Sequence, residues 1–263
     1  MRSMRSDLED VLRTVPRPAI AVSGGVDSMT LAALAAVTLD DVIIMHAVSP
    51  AVPAEATARV ERMADTRHWN LQLIRAGEFE DPQYRTNPVN RCFFCKTNLY
   101  GTIRAHTSRP MLSGANLDDL VEYRPGLDAA RLHQVRHPFI EAGFSKSEVR
   151  NLARELGLSE VSELPSSPCL SSRVETGIRI EPSTLGFVHA VESFLKAELQ
   201  PHTVRCRIRA AAVVVELDPL TLAKLAPGAK MTLAQQIVGR PGAPSLPIDF
   251  QTYRNGSAFL GAR

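Results

Sequence analysis

Ser23-Gly24-Gly25-Val26-Asp27-Ser28 follows the apolar run Ala19-Ile20-Ala21-Val22 and precedes an Ala- and Leu-rich stretch from Met29 to Val37. A short apolar run bounded by Pro18 and a Gly-Gly pair reads as a buried strand ending in a turn, and the stretch beyond it as a helix. Val42-Ile43-Ile44-Met45 supplies a second buried strand, so the chain opens as a βαβ unit of a parallel sheet. Helix formers from Ala54 to His68, strand character at Leu71-Gln72-Leu73-Ile74 and a short strand at Met111-Leu112 before Gly114 continue the alternation. The expected fold class is α/β.

Further along, Ser145 and Glu148 form a Ser-x-x-Glu capping box that opens a helix ending at Gly157. Two prolines break regular structure between Leu164 and Arg173. A domain boundary is expected just beyond, giving residues 1–175 and 176–263. The second part reads as a smaller α+β domain: a helix from Pro182 to Leu199, a strand pair within Thr203 to Leu217, a helix near Leu220 to Val238 and a last strand around Ile248.

With 263 residues, 44% hydrophobic and 22% charged, the chain has the composition of an ordinary globular protein and no apolar stretch long enough to span a bilayer. Met1 to Arg13 mixes arginine with acids and lacks the apolar centre of a secretory signal, so a cytoplasmic location is expected. A formal charge of +2 gives no bulk attraction to nucleic acid or membrane. Four cysteines in such a chain point to thiol or metal chemistry rather than to a disulfide framework.

Gly24 and Gly25 let the backbone turn closely around an anion, and the helix that follows presents unpaired amides and a positive dipole end. Ser23 and Ser28 add hydroxyl donors, while Asp27 beside phosphate calls for a counter-cation, Mg²⁺. Val26 belongs to the same six-residue loop. The Gly-Lys-Ser/Thr of kinase and GTPase phosphate loops is absent. The plainer alternative is a Gly-Gly turn with a polar helix cap.

Cys92 and Cys95 form a Cys-x-x-Cys pair, and Cys169 lies in the proline-rich segment. Three thiols can hold three irons of a [4Fe–4S] cluster, form an incomplete zinc site, or, as the pair alone, act in redox chemistry. Small buried residues are the plain reading, and Cys206, inside a strand, fits that reading best. Gly114, Asn116, Asp118 and Asp119 follow a short strand, where loops of an open α/β sheet meet ligands; the plain alternative for the two adjacent acids is a solvent-facing or helix-capping place. Arg205 and Arg207 alternate along one strand face, where two guanidiniums can grip a phosphate in bidentate fashion; the plain alternative is a solvated strand face.

Ser-Gly-Gly-Val-Asp-Ser resembles the motif of the PP-loop ATP pyrophosphatases, which cleave ATP between its α and β phosphates to adenylylate an oxygen. Asn87-Pro88-Val89-Asn90-Arg91-Cys92-Phe93-Phe94-Cys95-Lys96, Ser113-Gly114-Ala115-Asn116-Leu117-Asp118-Asp119, Glu122-Tyr123-Arg124-Pro125-Gly126, Phe144-Ser145-Lys146 and Ser167-Pro168-Cys169-Leu170-Ser171-Ser172-Arg173 narrow this. Together they resemble the LarE family of ATP-dependent sulfur transferases. The likeness runs from about residue 7 to Tyr253-Arg254-Asn255-Gly256-Ser257.

The resemblance implies a PP-loop domain, ATP and Mg²⁺, and a pyridinium dicarboxylate mononucleotide whose carboxylates become thiocarboxylates for a nickel-pincer cofactor. In one form of the family a cysteine matching Cys169 surrenders its own sulfur. In another, cysteines matching Cys92, Cys95 and Cys169 are thought to hold a [4Fe–4S] sulfur carrier, and this chain has all three. The resemblance also implies ligand contacts for Lys96, Arg124 and Arg173, a phosphate site at Arg205 and Arg207, metal or catalytic roles for Glu216 and Asp249, and trimer-based homo-oligomers. The chain departs from the pattern at Ala210, Val214 and Val174-Glu175-Thr176-Gly177, all near the implied substrate site. A PP-loop enzyme that thiolates tRNA and an ATP- or AMP-binding sensor are the competing readings.

Overall fold

The computed structural model describes residues 3–121, 123–165 and 168–254. Glu122, Ser167 and Asn255-Gly256-Ser257 of the motifs quoted above lie outside them. In chain order the elements begin with helix α1 (Met4–Arg13), strand β1 (Ala19–Val22), helix α2 (Val26–Thr38), strand β2 (Ile43–Ala47), helix α3 (Ala54–Arg67) and strand β3 (Asn70–Ile74). Then come the short helix α4 (Pro82–Arg85), helix α5 (Arg91–His106), strand β4 (Met111–Leu112) and helices α6 (Pro125–Leu132), α7 (Pro138–Glu141), α8 (Lys146–Glu155) and α9 (Ser159–Ser162). Helix α10 (Pro182–Leu199), strands β5 (Val204–Ile208) and β6 (Val213–Leu217), helices α11 (Pro219–Ala223) and α12 (Pro227–Val238) and strand β7 (Ile248–Thr252) complete the chain.

Two compact units emerge: residues 1–78 with 92–167, and residues 79–91 with 168–263. The α/β class holds. In the first unit a four-stranded sheet runs in the order β3-β2-β1-β4 with every neighbouring pair parallel. All four residues of β1 are buried, as expected of a central parallel strand covered on both faces. Helix α2 is buried along most of its length, and its Met29, Leu31 and Leu34 share a core with Leu8 and Leu12 of α1 and Val149 and Leu152 of α8. The strand order turns back between β1 and β4, which makes their carboxyl ends the switch point at which open α/β sheets take ligands.

Ser145 caps α8 as its sequence requires: its hydroxyl accepts from the Glu148 amide and the Glu148 carboxylate accepts from the Ser145 amide. Such caps contribute about 1 kcal/mol. In the second unit β5 and β6 are antiparallel and β6 and β7 parallel, and α10 packs on β5. The single helix expected near 220–238 is two, because Pro219 and Pro227 each start a new one. Among the described residues no helix is long and apolar enough to cross a membrane.

Candidate functional site

The first unit assembles its polar residues around the loop between β1 and α2. Gly24 has φ +80°, a left-handed turn that suits glycine. Ser28 Oγ accepts from the Ser23 amide at 3.0 Å, donates to the Gly25 carbonyl at 3.3 Å and lies 3.2 Å from Ser23 Oγ. These bonds close the loop into a ring. Gly25 is the N-cap of α2 and offers no side-chain cap, so the first-turn amides of that helix remain open to an external acceptor.

Gly114 brings the loop after β4 against this ring. A Cβ there would stand 2.8 Å from the Asp27 carbonyl carbon and 2.8 Å from the Ser28 nitrogen, so only glycine allows the two backbones to touch. Asn116, buried, then reaches Asp27: its Nδ2 donates to Asp27 Oδ1 at 3.1 Å. The other Asp27 oxygen is ion-paired with Lys146 Nζ. Leu117 N bonds to Phe144 O at 2.9 Å, which ties the loop after β4 to the segment leading into α8.

Of the two neighbouring acids, Asp119 is committed to local structure. Asp119 Oδ2 accepts from the Asn116 amide at 3.0 Å, completing a capping box, and its Oδ1 pairs with Arg124 at 3.1 Å. Asp118 is exposed, and its amide donates to Asn116 Oδ1. His137 Nδ1 lies 2.9 Å from Ser113 Oγ at the end of β4, and burial holds its pKa below the usual histidine value. Lys96 stands over the Tyr100 ring with its stem against Gly126, where a Cβ would meet Lys96 Cγ at 3.2 Å. Cys92, exposed, and Cys95, half-buried, lie three residues apart in the first turn of α5 and so share one helix face.

The second unit carries Cys169 and the arginines. Arg173 Nη1 donates to the carbonyls of Pro168 at 2.6 Å and Cys169 at 3.2 Å, pinning the backbone that bears the thiol. Arg173 is itself held by a bidentate pair with Glu192 at 2.9 and 3.1 Å, both side chains being almost completely buried. Glu192 Oε1 also accepts from the Cys206 amide at 3.0 Å. Tyr84 OH and Ser171 Oγ, both buried, are 2.6 Å apart. Cys206 is fully buried, and burial pushes its thiol pKa far up, which makes it a packing residue.

Arg205 and Arg207 share a sheet face with Val214 and Glu216 by strand register. Arg207 is buried and bonded to Glu216 at 2.8 Å and to the Ser172 carbonyl at 3.0 Å; Arg209 reaches the same carboxylate at 3.6 Å. Arg205 lies 5.9 Å from the Tyr253 ring, and burial, with Arg173 nearby, lowers its pKa. Asp249 is exposed, with its oxygens taken by Phe250 N and Gln251 Nε2. Among the described residues no group of three or more His, Cys, Asp or Glu stands ready to hold a metal ion.

The sequence pointed to the loop, to Asn116 and to the arginine strand, but assigned no role to Lys146 or Glu192. Lys146 is the first residue after a recognisable cap, which aims it; Glu192 is a lone charge on the apolar face of α10. No family model matches the chain. It is 31% identical over 261 residues to an uncharacterized protein of Synechocystis, covering 97% of both chains. It is 28% identical to the pyridinium-3,5-bisthiocarboxylic acid mononucleotide synthase of Lactiplantibacillus plantarum, over 82% of this chain and 80% of that one. An uncharacterized protein of Methanocaldococcus jannaschii is 25% identical over 76% of this chain and 77% of its own.

Proposed function

Since the chain belongs to the LarE family, we propose that it is an ATP-dependent sulfur transferase of nickel-pincer cofactor synthesis, acting on a pyridinium dicarboxylate mononucleotide. The observation that carries the nucleotide part is the contact of Gly114 with the Asp27–Ser28 backbone, which gathers Asn116 and Lys146 on Asp27 beside the uncapped start of α2. Open amides, a lysine and two serine hydroxyls make an electropositive cradle suited to pyrophosphate.

In this reading a substrate carboxylate oxygen attacks the α-phosphorus of ATP, the α–β bridging bond breaks, and pyrophosphate leaves into the loop. The carboxylate becomes a mixed anhydride with AMP; a hydrosulfide-level sulfur then attacks its carbonyl carbon, AMP departs and the proton of the hydrosulfide is lost, leaving a thiocarboxylate. Arg207 and Arg205 are the proposed grip on the substrate phosphate, and Arg173 holds the Cys169 backbone in place. Asp27 accepts one donor on each oxygen and so retains acceptor capacity for Mg²⁺, which would neutralise the phosphates. Three thiols match the donor chemistry of an iron–sulfur cluster, and Cys92, Cys95 and Cys169 are the residues that would hold a [4Fe–4S] group serving as a renewable sulfur source. A cytoplasmic, trimer-based homo-oligomer is part of the proposal and rests on the family.

The test is product analysis with MgATP and the pyridinium dicarboxylate mononucleotide. Pyrophosphate and AMP are expected in equal amounts, and Cys169→Ala is expected to keep their release while losing the thiocarboxylate. Nucleotide binding without turnover would instead indicate a sensor, and turnover only with tRNA a tRNA-thiolating enzyme.

A further inference from the structure

Helix α3 meets the phosphate loop through contacts that the nucleotide reading leaves unused. A Cβ on Gly24 would lie 2.7 Å from the Ala56 carbonyl oxygen, so the first turn of α3 rests directly on loop backbone. His46, buried on β2, bonds through Nδ1 to the Val22 carbonyl at 2.8 Å and through Nε2 to Thr57 Oγ1 at 2.9 Å. Nδ1 therefore donates to the carbonyl, and Nε2 accepts from the Thr57 hydroxyl. Two residues beyond Thr57, Arg59 Nη1 donates to the Gly24 carbonyl at 2.9 Å. Arg59 Nε is buried without a partner, and no carboxylate among the described residues pairs with this guanidinium.

A Gly-Gly peptide has little steric resistance to rotation. Rotated one way it offers an anion an N–H, and rotated the other way it offers a carbonyl oxygen that repels it. The Gly24–Gly25 peptide is trans, and in a trans unit the carbonyl and the N–H point in opposite directions. The Arg59 bond draws the Gly24 carbonyl toward α3, so the amide of the same unit, that of Gly25, faces away from α3. We infer that Arg59 is a positioning residue that locks the Gly24–Gly25 peptide with its N–H turned to the departing pyrophosphate. The inference rests on the nucleotide reading of this loop.

The experiment is titration calorimetry of the full chain with inorganic pyrophosphate, together with the ¹⁵N–¹H resonance of Gly25 at saturating pyrophosphate. Arg59→Met is expected to weaken binding by about tenfold or more, the scale of one lost charge-assisted hydrogen bond. It should also move the Gly25 resonance away from its wild-type bound position, with an unchanged melting temperature. Where the Met variant melts early, Arg59→Gln, too short to reach Gly24, takes its place with the same expectation. Affinity within about twofold of wild type, or weaker binding with a wild-type Gly25 resonance, overturns the positioning role. A wild-type protein that does not bind pyrophosphate overturns the nucleotide reading and this inference with it.

Discussion

Lys146 Nζ is ion-paired with Asp27 Oδ2, which joins the first residue of α8 to the first turn of α2. Both side chains are partly exposed, so the pair adds little to stability. An incoming polyphosphate offers the lysine a second, more highly charged partner at the same place. Lys146→Met is expected to lower the rate of pyrophosphate release by about a hundredfold, the usual cost of removing one preorganised charged donor. The melting temperature should barely move. A full rate in a coupled pyrophosphate assay would remove Lys146 from the machinery.

Gly114→Ala introduces a methyl group 2.8 Å from two backbone atoms of Asp27 and Ser28, neither of which can rotate away. The loops must separate, at a cost of about 1–3 kcal/mol by the scale of overpacked sites. Calorimetry should show both a lower melting temperature and weakened ATP binding. Unaltered nucleotide affinity would mean that the approach of the two loops is not needed by the site.

Arg207 and Glu216 form a buried pair, and Arg209 leans on the same carboxylate. Glu216→Ala leaves a buried guanidinium without its counter-charge and is expected to cost about 3–5 kcal/mol in urea unfolding. The double change Arg207→Met with Glu216→Leu should cost clearly less, because the more deeply buried of the two guanidiniums is removed together with its counter-charge and only the longer contact of Arg209 is lost, yet should still abolish substrate binding. Normal activity in the folded double variant would exclude this strand from substrate recognition.

His46 sets a pH window. Burial lowers its folded pKa below the ordinary 6.5, so at pH values just under 6.5 the unfolded chain binds a proton that the folded chain does not. Stability therefore falls as pH drops from about 6.5 toward the depressed folded value. Melting temperatures between pH 7.5 and 5.5 should fall for the wild type and follow a shallower slope for His46→Gln. Some slope remains in the variant, since burial shifts His137 in the same direction. Equal slopes would show that His46 gains its proton in the folded state as readily as in the unfolded one.

The features that could be read from sequence are those with local causes. Ala19 to Ser28 declares a strand, a turn and a helix within ten residues, and Ser145 with Glu148 declares a helix start in four. The helix carrying Cys92 and Cys95 went unrecognised because Phe93, Phe94, Leu99 and Tyr100 set no clear apolar stripe along it. Arg173 and Arg207 read as open ligand contacts because sequence cannot show partners that lie far along the chain. Glu192 meets Arg173 only through the packing of α10, and Glu216 meets Arg207 only through the register of β5 on β6.

The second unit also borrows residues 79–91 from within the sequence of the first. Asn87, buried and left-handed at φ 54°, uses its Nδ2 to reach the carbonyls of Val174, Glu175 and Ile178, while Arg91 donates to its Oδ1. Cutting the chain after residue 175 thus yields no intact fragment on the C-terminal side, which would lack the strap that organises its first loop. On the ribosome that strap emerges well before residues 174–178 exist. Vectorial synthesis leaves it without those partners until residues 174–178 have emerged, so the nascent chain completes its second unit only after every strand of the first unit's sheet has been made.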